Sequence, residues 1–202
     1  MHISNDRFWR YCRKKYFCYF DGPRDILEVG SLNVNGSVRR YFTNFKQYIG
    51  VDWRAGPDVD VVCLAEDMNF DKQFNVVISC SMLEHDPHWD LSLLNMTKYL
   101  KEDGILLLSW GSACCFPHQK HTAIDGEFHG LPVGPVLQLV REHGIYIHEF
   151  HYEGSASFIK KRQCLPSTAG AGMGIALFVG FKNSEYAIGE QVIDQLLPED
   201  EV

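Results

Sequence analysis

The fold is decided by one stretch, RDILEVGSLNVNG at residues 24–36. Its first half is a short apolar run that carries one acid, Glu28, and its second half is rich in Gly, Ser and Asn. After Gly36 the sequence predicts a helix. A strand, a small-residue loop and a helix in this order bring backbone amides and a helix N-terminus close to a ligand, and glycine permits the backbone conformations of such a turn. The stretch therefore predicts a site for a nucleoside-containing cofactor.

Length and composition predict a single domain, residues 1–202, with a full hydrophobic core. The chain has 202 residues, of which 46% are hydrophobic, and both values are typical of a globular protein. No apolar run approaches the roughly 20 residues that span a bilayer, and the N-terminus lacks the apolar core of a signal peptide. Seven cysteines at irregular spacing do not resemble a disulfide framework. We therefore expect a cytoplasmic protein with free thiols.

A formal net charge of -7 disfavours nucleic acid as a partner, because a surface that binds phosphates needs an excess of positive charge. One local exception runs from Arg7 to Lys15, where basic and aromatic residues alternate. This segment is either a surface for nucleic acid or an acidic substrate, or an amphipathic helix that docks its aromatic stripe on the domain. One basic helix on an acidic protein is a weak signal, so we favour the second interpretation and predict an N-terminal helical extension at residues 1–23.

Strands and helices alternate along the remaining chain. The predicted strands are residues 26–29, 47–52, 59–63, 74–80, 105–110, 145–151 and 175–181. Helices are predicted at about residues 5–20, after Gly36, at 87–100 and at 133–142. This alternation predicts an α/β fold, a three-layer Rossmann-like sandwich whose seven-stranded, mostly parallel sheet has helices on both faces.

A long connection, residues 111–132, follows the fifth predicted strand. Ligands bind beside the carboxyl ends of strands in open α/β sheets, and long connections in compact domains are usually functional. We therefore predict a substrate lid here. The connection contains several cysteine and histidine residues, among them Cys114, Cys115, His118 and His121. Their spacing matches no established zinc site, and no metal site is predicted.

Three segments in order resemble the class I S-adenosylmethionine-dependent methyltransferases. They are residues 28–36, 50–52 and 74–85, and the resemblance extends over residues 24–110. They are most similar to the group that includes the ubiquinone-type small-molecule O-methyltransferases. No single motif decides the resemblance; the order and spacing of the three segments carry it. It implies S-adenosylmethionine as the cofactor and a last strand that runs antiparallel to the others.

The resemblance implies cofactor contacts at the carboxyl ends of the predicted strands. Glu28 would face the ammonium of the cofactor's amino-acid tail. Asp52, unless it is only an exposed turn residue, would accept hydrogen bonds from both ribose hydroxyls, and Trp53 would pack on the adenine edge. The predicted cofactor-binding residues are Glu28, Gly30, Ser31, Asn33, Asn35, Asp52, Trp53, Leu64, Ala65, Glu66, Ser79 and Cys80.

The adenine region departs from the family pattern at Leu64, where relatives often carry an acid that binds the adenine amino group. Ala65 keeps a backbone amide for a ring nitrogen, and Glu66 or Asp67 would replace the missing carboxylate. The departure leaves open a second interpretation, in which the protein is a catalytically silent cofactor binder or scaffold.

The segment after the fourth predicted strand would lie under the sulfonium and next to the methyl acceptor. The predicted catalytic residues are His85 and Glu84. A histidine suits a general base at neutral pH, and the alternative is that His85 only packs or caps the start of the next helix. In ubiquinone-type relatives an acid that helps to bind a divalent cation stands at the position of Ser81, so metal dependence is not implied for this chain.

A nicotinamide dinucleotide site is the main alternative to a methyl-donor site. Such sites use G-x-G-x-x-G to approach a pyrophosphate, whereas five residues separate Gly30 from Gly36 and an acid precedes the first glycine. The carboxylate favours an ammonium over a pyrophosphate. The chain also lacks the Asn/Asp-Pro-Pro-aromatic motif of enzymes that methylate amino groups of nucleic acids. We therefore predict methylation of an oxygen or nitrogen on a small molecule or glycan, with a protein acceptor left open.

Overall fold

The sheet has seven strands in the order β3-β2-β1-β4-β5-β7-β6 in a computed structural model that describes residues 3–112, 123–153, 175–183 and 185. The strands are β1 Asp25–Val29, β2 Gln47–Asp52, β3 Val61–Val62, β4 Phe74–Cys80, β5 Leu100–Gly111, β6 Tyr146–Glu153 and β7 Ile175–Phe181. Neighbouring strands are parallel except at β7, which runs antiparallel to both β5 and β6. The predicted sheet, including its antiparallel last strand, is confirmed.

Helices cover both faces of this sheet. They are α1 Ile3–Lys15, α2 Phe17–Phe20, α3 Trp89–Lys98 and α4 Val133–Glu142. On one face, α3 and α4 bury Leu93, Met96 and Val140 in a core with the strands. On the other face, α1 and α2 bury Phe8 and Phe20. The predicted three-layer arrangement is therefore confirmed.

The N-terminal helix α1 docks its aromatic stripe on the sheet. Phe8, Trp9 and Cys12 have no exposed surface, whereas Arg10 and Lys14 are exposed. This division follows from helical periodicity, because the buried positions lie on one side of the helix. The amphipathic interpretation of this segment is confirmed.

The carboxyl end of α1 is anchored to β6 through a buried acid, Glu149. Its carboxylate accepts hydrogen bonds from the hydroxyls of Tyr11, at 2.8 Å, and Tyr16. Lys15 Nζ lies 2.5 Å from the same carboxylate, and the ring of His151 lies 2.9 Å from it. A carboxylate with this many partners fixes the position of the whole helix.

The helix predicted after Gly36 is wrong. Only a short 3-10 helix, Val38–Tyr41, forms there, and the backbone is already extended at Phe42. The ring of Phe42 stacks on that of Phe20 in α2, with centroids 4.4 Å apart. This stacking fixes Phe42 in an extended conformation just before β2, so the helix ends at Tyr41.

Most other predicted elements form, with small changes at their ends. The predicted boundaries of β4, β7 and α4 are those observed. The third strand is shorter than predicted, at Val61–Val62, because it is an edge strand that pairs only with β2. The predicted helix at 5–20 is divided into α1 and α2 at Tyr16.

The predicted lid is described only in part, since residues 113–122 lie outside the described residues. Its second half lies alongside the 3-10 helix Leu83–His85. The amide of Ile124 donates to the carbonyl of His85 at 3.2 Å, and the amide of His129 donates to the carbonyl of Glu84 at 2.8 Å. This part of the connection therefore runs beside the carboxyl end of β4.

Candidate cofactor and active site

A cavity of about 360 Å³ opens at the carboxyl ends of β1, β2 and β4. It lies where the strand order reverses, between β1 and β4, which is where open α/β sheets bind ligands. Its volume is within the range of small-molecule sites. Nine of the sequence-predicted site residues line it: Glu28, Gly30, Ser31, Asn35, Asp52, Trp53, Ala65, Cys80 and His85.

The turn after β1 can form only because residue 30 is glycine. Gly30 has a φ of 84°, and a Cβ added there would lie 2.3 Å from Cβ of Met82. The amides of Gly30 and Ser31 donate to the carbonyl of Val51 at 2.8 and 3.0 Å. The turn is thus held against β2 on one side and against Met82, two residues after β4, on the other.

Asn33 shapes the same loop but does not line the cavity. Its side-chain amide donates to Asp58 at 2.9 Å, and its Oδ1 accepts from the amide of Gly36 at 2.9 Å. These two bonds close the loop on itself. In the described structure Asn33 therefore holds the loop, whereas Asn35 faces the cavity.

Glu28 presents a buried acid to the cavity. Only 3% of this residue is exposed, and its Oε2 accepts a hydrogen bond from the hydroxyl of Tyr48 at 2.6 Å. Burial raises the pKa of Glu28 to about 8, and the carboxylates of Asp58 and Asp52 add to this, while the Tyr48 hydroxyl and Arg39 oppose it. Such a carboxyl favours a cationic ligand, because a cation lowers the cost of its charge.

The pKa of Glu28 makes the stability of the protein fall as the pH rises. The ordinary pKa of 4.5 applies to the unfolded chain and about 8 to the folded one, so the folded state binds more protons between these values. Relative to Glu28→Gln, we expect the free energy of unfolding of the wild type to fall by about 3 kcal/mol from pH 5 to pH 8. Urea unfolding of both proteins at several pH values measures this difference. If the free energies of unfolding of the two proteins changed equally with pH, the expected effect of Glu28 would be wrong.

Asp52 ends β2 with both carboxylate oxygens held by the backbone. Oδ2 accepts from the amide of Leu32 and Oδ1 from the amide of Arg54, each at 3.1 Å. Burial raises the pKa of Asp52, although the bonds from these amides lower it. The amide of Trp53 also bonds to this carboxylate. A carboxylate has about four acceptor positions, so it keeps capacity to accept from a ribose. Trp53 lines the cavity directly beside it.

The predicted adenine region is only partly on the cavity wall. Ala65 lines the cavity, whereas Leu64 and Glu66 do not. The carboxylate of Glu66 pairs with the ring of His88 at 3.0 Å. Asn95 fixes this turn by donating to the carbonyl of Ala65 at 2.9 Å. The expectation that Glu66 replaces the missing family acid therefore receives no support from its position.

The end of β4 contributes Cys80 and Ser81 to the cavity, whereas Ser79 is fully buried and does not line it. Ser81 has a φ of 54°, which is uncommon for a residue other than glycine. Its amide donates to the carbonyl of Ser109 at 2.8 Å. Unusual backbone of this kind persists where the surrounding structure enforces it, and it is concentrated at functional sites.

His85 lies on the cavity wall and is 6% exposed. Its ring packs edge-on against that of Phe128, with centroids 5.5 Å apart. Glu84 is also buried, but it does not line the cavity, and burial raises its pKa to about 7. Of the two predicted catalytic residues, only His85 is thus placed to reach a ligand in the cavity.

The lining residues that were not predicted from the sequence include Asn5, Asp86 and Ile124. Asn5 comes from α1, and Ile124 from the described half of the predicted lid. Asp86 accepts hydrogen bonds from Ser92 Oγ at 2.5 Å and from the amide of His88 at 2.8 Å. These bonds hold the turn that precedes α3. Among the described residues, no group of three or more His, Cys, Asp or Glu side chains is arranged to hold a metal ion.

Solved structures of methyltransferases share this fold. They include an S-adenosylmethionine-dependent methyltransferase from Clostridium acetobutylicum ATCC 824, with a TM-score of 0.58 and 10% identity over 87% of this chain and 91% of that one. The Burkholderia thailandensis 1,6-didemethyltoxoflavin-N1-methyltransferase, solved with 1,6-didemethyltoxoflavin and S-adenosylhomocysteine, has a TM-score of 0.60 and 12% identity over 88% of this chain and 77% of that one.

A third structure, N-methyltransferase NodS from Bradyrhizobium japonicum WM9, has a TM-score of 0.57 and 13% identity over 87% of this chain and 94% of that one. No protein-family model matches the chain, and no curated protein matches it by sequence. The chain therefore has the fold of the class I S-adenosylmethionine-dependent methyltransferases.

Proposed function

We propose that the protein is a methyltransferase that uses S-adenosylmethionine and methylates an oxygen or nitrogen of a small molecule or glycan. The observation that carries this proposal is the pair of acids at the carboxyl ends of β1 and β2, beside the switch point of the sheet. Glu28 is the penultimate residue of β1, and Asp52 is the last residue of the adjacent parallel strand β2. Both line one cavity, and they differ in chemistry. Glu28 is a buried carboxyl suited to an ammonium, and Asp52 is a fixed carboxylate suited to a ribose diol.

The remaining cavity residues fit the rest of the cofactor. Trp53 and Ala65 are on the wall beyond Asp52 and supply an apolar surface for adenine, and the turn at Gly30 brings backbone close to the amino-acid tail. Cys80 and Ser81 lie on the β4 side of the cavity. When bound, the cofactor supplies a methyl group that its sulfonium already activates. The protein is then required mainly to align the acceptor and exclude water.

His85 is the residue proposed to accept the proton that the acceptor loses. A ring nitrogen of a neutral histidine takes a proton near neutral pH, and the cavity position of His85 permits contact with an acceptor. Glu84 is a neighbour of His85 whose carbonyl binds the amide of His129 at 2.8 Å. We assign it to positioning of this turn instead of direct proton transfer.

Two of the proteins that share the fold support parts of this proposal. One is a 1,6-didemethyltoxoflavin N1-methyltransferase solved with that compound bound, which supports the small-molecule class. Another is an N-methyltransferase, which supports nitrogen as an acceptor atom. The net charge of -7 and a cavity of small-molecule size agree with an acceptor of this class better than with nucleic acid.

The cytoplasmic location stays a prediction. Cys12, Cys18, Cys63 and Cys80 are free thiols, in agreement with a reducing compartment. Within the described part of the chain, no helix combines the length and the apolar character needed to cross a membrane.

Transfer of labelled methyl groups tests whether the protein is an enzyme. We expect the wild type to move tritium from methyl-labelled S-adenosylmethionine into a component of a metabolite extract. His85→Gln should lower the initial rate by about 100-fold, the usual size of a general-base contribution. His143→Gln removes an exposed histidine outside the cavity and serves as the matched control, with an unchanged rate.

The silent-binder interpretation makes the opposite prediction. A protein that binds S-adenosylmethionine but labels no component of small-molecule, glycan or protein fractions would contradict the proposed activity. Equal rates for the wild type and His85→Gln would leave the methyltransferase in place but remove His85 as its base.

A further inference from the structure

Asn5 is a polar residue that the N-terminal helix places in the wall of the cavity. It belongs to the first turns of α1, and only 2% of it is exposed. Its Nδ2 donates a hydrogen bond to Ser81 Oγ at 2.9 Å. Its carbonyl oxygen, Oδ1, is buried and has no hydrogen-bond partner among the described residues.

A buried carbonyl without a partner is costly. Leaving such an acceptor unpaired destabilises the fold, and the great majority of buried polar atoms in native proteins are paired. The hydrogen bond to Ser81 fixes the other end of the amide. Asn5 lines the cavity, so a ligand bound there can supply the donor that the described residues do not supply to Oδ1.

The surroundings hold Asn5 rigidly. Phe8 and Trp9, in the same helix, are fully buried, and the far end of α1 is anchored to Glu149. Ser81 keeps its left-handed backbone conformation, with its amide bonded to β5. A binding atom on a rigid element of this kind loses little entropy when a ligand binds.

The chemistry of the cavity indicates which donor Oδ1 receives. Glu28, the buried acid on β1, lines the same cavity as Asn5 and Ser81. A carboxylate and a neutral carbonyl are both acceptors, and an ammonium offers three donors. An ammonium group satisfies both acceptors and reduces the cost of ionising Glu28.

We propose that Asn5 is a cofactor-binding residue whose Oδ1 accepts a hydrogen bond from the ammonium of the cofactor's amino-acid tail. The N-terminal helix then contributes to the wall of the tail subsite. This inference rests on the proposed function, since it requires the cavity to bind S-adenosylmethionine or its product.

Ligands with and without the tail test this directly. Calorimetric titrations compare S-adenosylhomocysteine with 5′-methylthioadenosine, which lacks the amino-acid tail. In Asn5→Leu we expect the affinity for S-adenosylhomocysteine to fall by about 10-fold, and that for 5′-methylthioadenosine to change less than twofold. Asn5→Asp, which keeps the acceptor, should bind S-adenosylhomocysteine at least as well as the wild type. Lys14→Ala, on the exposed side of α1, is the control and should change neither affinity.

The outcomes separate this inference from the proposed function. If wild-type protein binds neither ligand, the proposed function itself is wrong. If it binds both and Asn5→Leu leaves their affinities unchanged, or weakens both equally, Asn5 does not contact the tail. If Asn5→Asp binds S-adenosylhomocysteine more weakly than Asn5→Leu, the residue faces the tail carboxylate, which overturns the assignment to the ammonium.

Discussion

Replacing Asp52 with alanine is expected to weaken the binding of S-adenosylhomocysteine by about 100-fold. The carboxylate ends β2 on the cavity wall, and backbone amides of Leu32 and Arg54 hold both of its oxygens in place. Two hydrogen bonds from ribose hydroxyls to a charged acceptor contribute about 3 kcal/mol together, which is about a factor of 100 in affinity. Isothermal titration calorimetry of both proteins measures the difference.

A ligand without the ribose hydroxyls separates this contact from a general effect of the substitution. The 2′,3′-dideoxy analogue of S-adenosylhomocysteine should bind the wild type and Asp52→Ala with similar affinity. Without ribose hydroxyls, this ligand cannot bond to Asp52 in either protein. Asp90→Ala removes an exposed acid from α3 and should leave binding unchanged. If Asp52→Ala loses the same affinity for both ligands, Asp52 supports the loop but does not bind the ribose.

Replacing Gly30 with alanine is expected to destabilise the fold by about 3–4 kcal/mol. The new methyl group would lie 2.3 Å from Cβ of Met82, and the backbone would keep a φ of 84°. Overpacking of this kind costs about 1–3 kcal/mol, and a left-handed conformation of a residue other than glycine adds about 1 kcal/mol or more. Urea unfolding followed by circular dichroism gives the change in the free energy of unfolding.

Gly144 provides the matched control for Gly30. It has a similar φ of 74°, but a Cβ there would meet no atom within 4 Å. Gly144→Ala should therefore cost only about 1 kcal/mol, the backbone part of the effect. In a Met82→Gly background, which removes the clashing atoms, Gly30→Ala should cost about as much as Gly144→Ala. A full penalty in that background would show that the close approach to Met82 is not its cause.

The sheet could be predicted because its signals are local in sequence. The continuous apolar runs of β4 and β7 identify strands buried on both faces, and both have the predicted boundaries. The acids Glu28 and Asp52 were found in the same way, since each stands near the carboxyl end of an apolar run. Parallel strands then bring their carboxyl ends to one edge, so these two residues meet at one cavity without any long-range information.

The remaining features depend on contacts between distant parts of the chain. The segment after Gly36 has the pattern of a helix. Only a 3-10 helix forms, and the chain is extended at Phe42, whose ring stacks on that of Phe20. Asn5 reaches the cavity because α1 packs across the sheet and its side chain meets Ser81, 76 residues away in sequence. No periodicity or spacing near Asn5 could indicate such a contact.

Calorimetric titration of the full chain with S-adenosylmethionine and, separately, with NADH tests the central claim most directly. The two acids at the carboxyl ends of β1 and β2 predict saturable binding of one S-adenosylmethionine per chain and no heat with NADH. The affinity should rise from pH 6 to pH 8, because the ammonium binds the ionised form of Glu28, whose pKa is about 8 in the free protein. Folded protein that gives no heat with S-adenosylmethionine, or that binds NADH instead, would contradict the account.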